Sequence, residues 1–222
     1  MVSGVSSRPI ACRGARCFLS FVSWTVVVAA CVPSVRGQVV VWGGTSGTWS
    51  IGGNWIGGST PLSGQDARVS AGAAFLDANF SVANFTLDGG AIDGAGTLDV
   101  NGTFNWAGGS IAGSGVLNAN AGAVISGSGS IASRTVIFNG STTWTGGSVI
   151  NAGSSGTLIN AAGGTFTNTG DSTFQYVLGG ATPTFTNLGT FAKTGGTGTT
   201  SMSGAAFNNS GLLDIQVGTL AL

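Results

Sequence analysis

The chain of 222 residues contains no histidine and no glutamate, and charged side chains make up only 6% of it. Without histidine it cannot form a His-containing catalytic triad or a histidine-based zinc site. All three cysteines lie at or before position 31, which leaves no thiol nucleophile and no disulfide framework beyond that point. We therefore expect a non-enzymatic protein without a cofactor.

Positive charge is almost as scarce as histidine. Beyond position 37 the chain has three cations, Arg68, Arg134 and Lys193, against seven aspartates, a formal net charge of −4. So few cations provide no electrostatic surface for nucleic acid or for anionic lipid headgroups. The mean hydropathy of +0.40 still indicates an ordered chain, because disorder follows from low hydrophobicity combined with high net charge.

The first 37 positions have the composition of a secretory signal. Three arginines precede an uncharged apolar run, Cys17–Val32, which is short for a membrane span and typical of a signal peptide. We therefore expect residues 1–37 to be removed. The mature protein would then be secreted or held at the bacterial cell surface, without a transmembrane span.

Two processing routes fit this segment. The triplet VRG that ends at Gly37, immediately before Gln38, has the small or tolerated residues of a signal-peptidase site. The tetrapeptide VAAC that ends at Cys31 resembles a bacterial lipobox, and its modification would anchor the protein by lipid. Cleavage between Gly37 and Gln38 is the favoured prediction.

Several motifs return with a period of about 19 residues, which is the sequence signature of a solenoid or a related array. F-x-N-x-G occurs at Phe166, Phe185 and Phe207. N-G-x-x-x-W-x-G-G-S occurs at 101–110 and again at 139–148, which is two such periods further along the chain. Such regular spacing of unrelated motifs predicts stacked structural repeats.

The short runs between the glycines predict strands. These runs are three to five residues long and rich in β-branched or aromatic side chains, as in TVIF and LLDI. They are too short for the strands of a membrane barrel, and a sandwich would show no such period. The sequence therefore predicts an all-β fold, a parallel β-helix (solenoid) of about 19–22 residues per coil.

Equivalent residues of successive coils lie one above another in such a fold. Asparagine amides and apolar rings can then stack as internal ladders, since each amide bonds to the one above and below it. The expected apolar ladder consists of Phe166, Phe185 and Phe207, and the expected amide ladder consists of Asn168, Asn187 and Asn209.

The predicted repeats occupy residues 69–222. They end in the apolar stretch DIQVGTLAL, whereas terminal repeats usually carry a polar cap. We therefore expect an uncapped C-terminal edge, at which the chain could self-associate because open sheet edges recruit other strands.

A tryptophan-rich segment at residues 38–68 precedes the repeats. It contains Trp42, Trp49 and Trp55 at nearly equal spacing. Indole rings bury large apolar areas, so they favour an N-terminal cap over the first coil. The alternative is that their faces form a platform for sugar rings.

The motif W-x-G-x-x-G-x-W-x-x-x-x-N-W-x-G-G-x-x-P, followed by short repeats such as GTL and NGTF, resembles the start of many secreted bacterial β-helix proteins. These are passengers of the autotransporter type and related proteins with autotransporter-associated β-strand repeats. The resemblance covers Val41–Leu222 and implies a right-handed parallel β-helix exported to the cell surface.

Three aspartates, Asp88, Asp93 and Asp99, follow one another closely and form the weak candidate for a metal site. Carboxylates on one side of adjacent coils are the oxygen ligands that calcium prefers. The segment does not match the G-G-x-G-x-D calcium repeat, however, so turn aspartates explain it with fewer assumptions. We therefore expect no metal.

Together these features favour an exported structural or adhesin-like protein of the bacterial surface, whose partners would be surface glycans or other surface proteins. One alternative is a protein that binds or cleaves carbohydrate through the tryptophans or the three aspartates. Another is that the chain forms a fragment of a longer passenger.

We expect the exported protein to begin at Gln38, because VRG provides the cleavage site. Mass spectrometry of the secreted product would measure this N-terminus. The substitution Cys31→Ser should leave both export and the N-terminus unchanged. A lipid-modified Cys31 at the N-terminus would establish the lipoprotein route instead.

Overall fold

The computed structural model describes residues 38–222. The predicted signal segment at 1–37, with its lipidation site at Cys31 and the residue Gly37 before the cleavage point, lies outside the described residues. In the described part the chain forms a parallel β-solenoid of about seven turns. The predicted all-β parallel architecture is therefore confirmed.

Each complete coil contributes one strand to each of three parallel sheets, while the partial turns at the two ends contribute only to sheets 1 and 2. Sheet 1 has nine strands: β1 (Val39–Val41), β3 (Asp66–Val69), β6 (Phe85–Leu87), β9 (Phe104–Trp106), β12 (Gly122–Ile125), β15 (Ser141–Trp144), β18 (Thr165–Asn168), β21 (Thr190–Lys193) and β24 (Leu212–Ile215).

Sheet 2 also has nine strands: β2 (Gly47–Thr48), β4 (Ala73–Leu76), β7 (Ala91–Gly94), β10 (Ser110–Ile111), β13 (Gly129–Ala132), β16 (Val149–Gly153), β19 (Thr173–Tyr176), β22 (Thr199–Ser203) and β25 (Thr219–Ala221). Sheet 3 has seven strands: β5 (Phe80–Val82), β8 (Leu98–Val100), β11 (Val116–Ala119), β14 (Thr135–Phe138), β17 (Thr157–Asn160), β20 (Thr184–Asn187) and β23 (Ala206–Asn209). A single 3-10 turn in the described part covers Gly52–Asn54.

The core lies between the three sheets and consists of inward-facing apolar columns. Alternate residues of each strand point inward, so that Val, Leu, Ile, Phe and Trp fill the interior while Ser, Thr and Asn cover the outside. In one column the rings of Phe85 and Phe104, which pair across neighbouring strands, stack with their centroids 5.7 Å apart. This alternation explains why runs of only three or four residues are enough to form strands.

The coil length differs between the two halves of the solenoid. In sheet 1 the paired residues Ala67, Phe85, Phe104, Ala123 and Thr142 follow one another at nearly constant intervals along the chain. Later coils are longer because they carry extra residues at their corners. The spacing of about 19 residues is therefore the coil repeat of the first half, and the last step in sheet 1, from Phe191 to Leu213, is 22 residues and again lies within the predicted range of 19–22.

Glycine is required where the chain turns from sheet 2 to sheet 3. Gly94 and Gly113 occupy the same corner of successive coils with φ values of 92° and 84°. A Cβ atom on Gly113 would clash with the backbone of Gly94 in the coil before it. Both the left-handed conformation and the close approach of the coils therefore demand glycine there.

An internal amide ladder runs through sheet 3. Asn160 and Asn187 each donate an Nδ2 hydrogen bond of 2.7 Å to the Oδ1 of the next asparagine, Asn187 and Asn209 respectively. Beside them Phe185 and Phe207 lie on paired strands, with ring centroids 5.6 Å apart and an interplanar angle of 23°. The ladder includes Asn160, which the sequence motif did not identify.

The predicted ladders need correction at Phe166 and Asn168. Both residues lie on β18 in sheet 1, where Phe166 pairs with Phe191 and not with Phe185. The sequence spacing between Phe166 and Phe185 therefore leads from sheet 1 to sheet 3 within one coil and not to the same position of the next coil. The inserted corner residues lengthen the coils here, so that a true coil-to-coil step runs from Phe166 to Phe191.

The segment before the repeats is partly built into the sheets. Strand β1 pairs with β3 in sheet 1, and β2 pairs with β4 in sheet 2. The boundary predicted between residues 68 and 69 falls inside β3. The tryptophan-rich segment thus starts the solenoid as well as covering its first coil.

The substitution Asn187→Ala should lower the free energy of unfolding by about 1–3 kcal/mol. The reason is that this change removes a buried amide that bonds to asparagines on both sides. Thermal unfolding followed by circular dichroism measures the effect. The matched control Asn208→Ala, at an exposed neighbouring side chain, should change stability by less than about 0.5 kcal/mol; equal losses at both positions would contradict an internal ladder.

Candidate functional site

The three tryptophans form a buried cluster at the N-terminal end of the solenoid. Trp42, Trp49 and Trp55 are 3%, 0% and 2% exposed. Trp55 packs edge-on against both of the others, with ring centroids 4.9 Å from Trp42 and 4.6 Å from Trp49. Trp49 also contacts Phe80 of the first complete coil at 5.5 Å.

This packing identifies the cluster as a cap over the apolar core. A sugar platform needs an accessible ring face, and these rings have none. Hydrogen bonds hold two of the indoles in place: Trp55 Nε1 donates to the carbonyl oxygen of Trp49 at 2.8 Å, and Trp42 Nε1 donates to that of Thr45 at 2.6 Å. The platform alternative for these three residues is therefore wrong.

An open groove of about 590 Å³ lies on the outer side of the cap. Its lining combines neutral polar groups with exposed aliphatic side chains, of which Ile56 and Leu62 are 66% and 67% exposed. Ser50, Thr60 and Gln65 provide the polar part of the wall. Among the described residues, no charged side chain lines this groove.

The three candidate aspartates do not form a common site. Asp88 follows β6 of sheet 1, Asp93 lies on β7 of sheet 2 and Asp99 lies on β8 of sheet 3. They therefore point to three different sides of the solenoid, because consecutive strands of a coil belong to different sheets. Residues 38–222 contain no group of three acidic, histidine or cysteine side chains that could hold a metal ion.

Each of these aspartates has a local partner. Arg68 donates from Nε and Nη2 to Asp88, and these hydrogen bonds lower the pKa of the Asp88 carboxyl. Asp93 accepts a 2.6 Å bond from the backbone N–H of Gly94, and Asp99 accepts a 2.7 Å bond from Asn118 Nδ2. The carboxylates thus stabilise turns and neighbouring coils.

Arg134 is buried and binds backbone carbonyl groups. Its guanidinium donates to the carbonyl oxygens of Gly94, Gly96 and Ala112 at 2.6, 3.0 and 2.6 Å. Burial lowers its pKa to about 10, and the charge of Asp93 acts in the opposite direction. Arg134 is therefore still protonated at neutral pH and joins its own coil to the two coils before it.

Lys193 is the second buried cation. Its Nζ donates to the carbonyl oxygens of Gly170 and Gly195 at 2.9 and 2.8 Å, and to Asp171 Oδ1 at 2.8 Å. Asp171 is partly exposed and also accepts a bond from the Gly198 N–H through its other oxygen. This ion pair closes the corner between sheets 1 and 2 in two successive long coils.

The outer surfaces of sheets 1 and 3 carry columns of hydroxyl side chains. These columns run across successive paired strands: Ser141, Thr165 and Thr190 on sheet 1, and Thr135, Thr157 and Thr184 on sheet 3. No charged side chain interrupts either column, and charged groups of these faces lie elsewhere, such as Arg68 and Asp214 on sheet 1 and Asp99 on sheet 3.

An exposed amide ladder, which sequence reasoning missed, lies at the corner after sheet 3. Asn120 Nδ2 donates to Asn101 Oδ1 at 3.2 Å, and Asn139 Nδ2 donates to Asn120 Oδ1 at 3.1 Å. The signal was present, since these three asparagines recur at a constant spacing along the chain. The N-G motif did not identify the middle member of this ladder, because Asn101 and Asn139 are followed by glycine whereas Asn120 is followed by alanine.

No family model, curated protein or solved structure matches this chain. The part of the chain that the structure describes also has no helix long and apolar enough to cross a membrane. The candidate functional surfaces are therefore defined by the structure alone: the N-terminal groove and the hydroxyl columns on sheets 1 and 3.

Acidification should weaken the corner that Lys193 and Asp171 close. The hydrogen bond from Lys193 lowers the pKa of Asp171, so the ionised carboxylate stabilises the fold above about pH 4. That contribution is lost as the pH falls through the lowered pKa. The Asp171→Asn variant should be less stable than wild type at pH 6, and thermal unfolding should show the difference shrinking below pH 4; a difference independent of pH would contradict this role.

Proposed function

We propose that the protein is an exported, non-enzymatic β-solenoid of the bacterial cell surface with a structural or adhesive role. The observation that carries the proposal is the pair of uncharged hydroxyl columns on the outer faces of sheets 1 and 3. Columns of this kind offer many weak hydrogen bonds over several coils. They suit contact with extended surfaces better than recognition of one small substrate.

The proposed surface location rests on the composition of residues 1–37, and the proposed kinship with autotransporter-type passengers rests on the tryptophan motif and the short repeats.

The arrangement of the acidic groups supports a non-enzymatic role. Glycoside hydrolysis needs two carboxyl groups facing one bond, whereas Asp88, Asp93 and Asp99 point in three directions. The same surfaces would serve a longer passenger of which this chain forms a part.

The groove at the N-terminal end favours carbohydrate binding as the second candidate function. Its neutral polar wall and exposed Ile56 and Leu62 fit the mixed surface of a sugar. Binding of an oligosaccharide from a broad panel, with loss in a folded Leu62→Arg variant, would establish this function. Trp49→Ala is unsuitable for this experiment, because Trp49 belongs to the core.

Adhesion is tested with beads that carry the purified protein. Coated beads should attach to bacterial and host-cell surfaces. Two triple variants should reduce attachment to the level of uncoated beads: one with aspartates at Ser141, Thr165 and Thr190, and one with aspartates at Thr135, Thr157 and Thr184. The reduction is expected because charge on the column disrupts contact with a neutral surface.

The matched control places three aspartates on the outer face of sheet 2, at Ser130, Asn151 and Gln175, which also lie on successive paired strands. This variant should attach like wild type. If all three variants keep full attachment and the wild-type melting temperature, the outer faces are not adhesive.

A further inference from the structure

The exposed amide ladder contains both Asn-Gly pairs of the sequence. These are Asn101–Gly102 and Asn139–Gly140, and the ladder member between them, Asn120, precedes alanine. All three asparagines are exposed where the chain passes from sheet 3 to sheet 1. Before a glycine, the backbone nitrogen reaches the asparagine side chain most readily, because glycine has no Cβ atom to hinder the approach. The two pairs thus share one chemistry but differ in their surroundings.

The Asn101–Gly102 pair is held by three hydrogen bonds. Asn101 Nδ2 donates to Ser81 Oγ at 2.9 Å, and Asn101 Oδ1 accepts from Asn120 Nδ2 at 3.2 Å. The backbone N–H of Gly102 donates to the carbonyl oxygen of Ala83 at 2.5 Å. An N–H that donates to a carbonyl group loses its proton less readily, and an amide bonded at both ends resists turning towards the backbone.

The Asn139–Gly140 pair lacks two of these three contacts. Asn139 Nδ2 donates to Asn120 Oδ1 at 3.1 Å. The ladder ends at Asn139, because Ala161 occupies the equivalent position of the next coil. Within residues 38–222 no donor bonds to Asn139 Oδ1, and the Gly140 N–H has no hydrogen-bond acceptor. The backbone nitrogen and one end of the side-chain amide are therefore free at this pair.

We propose that Asn139 is a self-modification site, at which the chain converts this asparagine to aspartate and isoaspartate without an enzyme. The Gly140 nitrogen gives up its proton and forms a bond to Cγ of Asn139. The bond between Cγ and Nδ2 then breaks, and the Nδ2 group takes up a proton and leaves as ammonia. The product of this step is a five-membered succinimide ring.

Hydrolysis completes the conversion. Water that adds to Cγ of the ring gives aspartate, whereas water that adds to the main-chain carbonyl carbon gives isoaspartate. In both cases one water molecule is consumed and one ammonia is released, with no change of oxidation state. Solvent supplies the only co-reactant, because the Asn139 side chain is exposed.

The modification breaks the ladder in which it occurs. A carboxylate has no N–H group, so it cannot donate to Asn120 Oδ1 as the amide does. Isoaspartate also lengthens the backbone in the short connection between Phe138 at the end of β14 and Ser141 at the start of β15. The new negative charge lies between the hydroxyl columns that contain Thr135 and Ser141. The inference itself does not depend on the proposed adhesive function.

Peptide mapping of the purified protein after incubation in mildly alkaline buffer tests the proposal. Trypsin cleaves after Arg68, Arg134 and Lys193, so that Asn101 and Asn139 fall in different peptides. Mass spectrometry follows the change from amide to carboxyl group in each peptide, and fragmentation locates it. In the folded protein we expect Asn139 to convert about tenfold faster than Asn101, because fewer hydrogen bonds protect it.

The same chain unfolded in urea is the matched control. Unfolding removes the contacts of both pairs and keeps the sequence, so Asn101 and Asn139 should then convert at equal rates. Equal rates in the folded protein, or faster conversion of Asn101, would overturn the proposal, as would a folded protein in which Asn139 stays intact. A Gly140→Ala variant is unsuitable as a test, because its Cβ atom would clash with the carbonyl oxygen of Ala121.

Discussion

The hydrogen-bonded stacking of each coil on the coil before it is the constraint on which the structure depends. Parallel strands lie about 4.8 Å apart, so every inward side chain has its closest neighbours directly above and below it. A residue that fits one coil must therefore also fit the equivalent positions of the next. This condition explains both the columns of similar side chains, such as Phe85 and Phe104, and the glycines at the corners.

The same constraint determines how much of the fold could be predicted from the sequence. Where the coils are short and of nearly equal length, the spacing of motifs equals the spacing of coils, and the two N-G motifs at 101–110 and 139–148 lie two coils apart. Beyond Thr142 the corners contain extra residues, and spacing alone no longer identifies the sheet to which a strand belongs. The motif TFTN stands on β18 and again on β20, yet these strands lie in different sheets.

Residue type also could not reveal which side chains are accessible. Tryptophan is suited both to closing a core and to binding a sugar, and only the packing of Trp49 against Phe80 distinguishes the two roles. The three aspartates are close in sequence, but a coil with three sides separates them. Arg134 and Lys193 are buried although isolated cations in a neutral sequence would be expected at the surface. Backbone carbonyl groups of earlier coils accept from both side chains, and Asp171 of the preceding coil also pairs with Lys193. No local pattern encodes such contacts.

Part of the interior changes from apolar to polar along the solenoid, and the change coincides with the longer coils, although Phe166, Phe185 and Phe191 remain in the apolar core there. One column of sheet 3 consists of Val82, Val100, Ala119 and Phe138 before it continues as Asn160, Asn187 and Asn209. Apolar side chains pack with almost any apolar neighbour, so a column of them specifies the register of the strands weakly. An amide that must meet the next amide specifies it strongly, because a shifted strand would leave a buried donor without an acceptor. Long corners increase the number of registers available to a strand, and the polar columns restrict that choice in the coils where corner length no longer does.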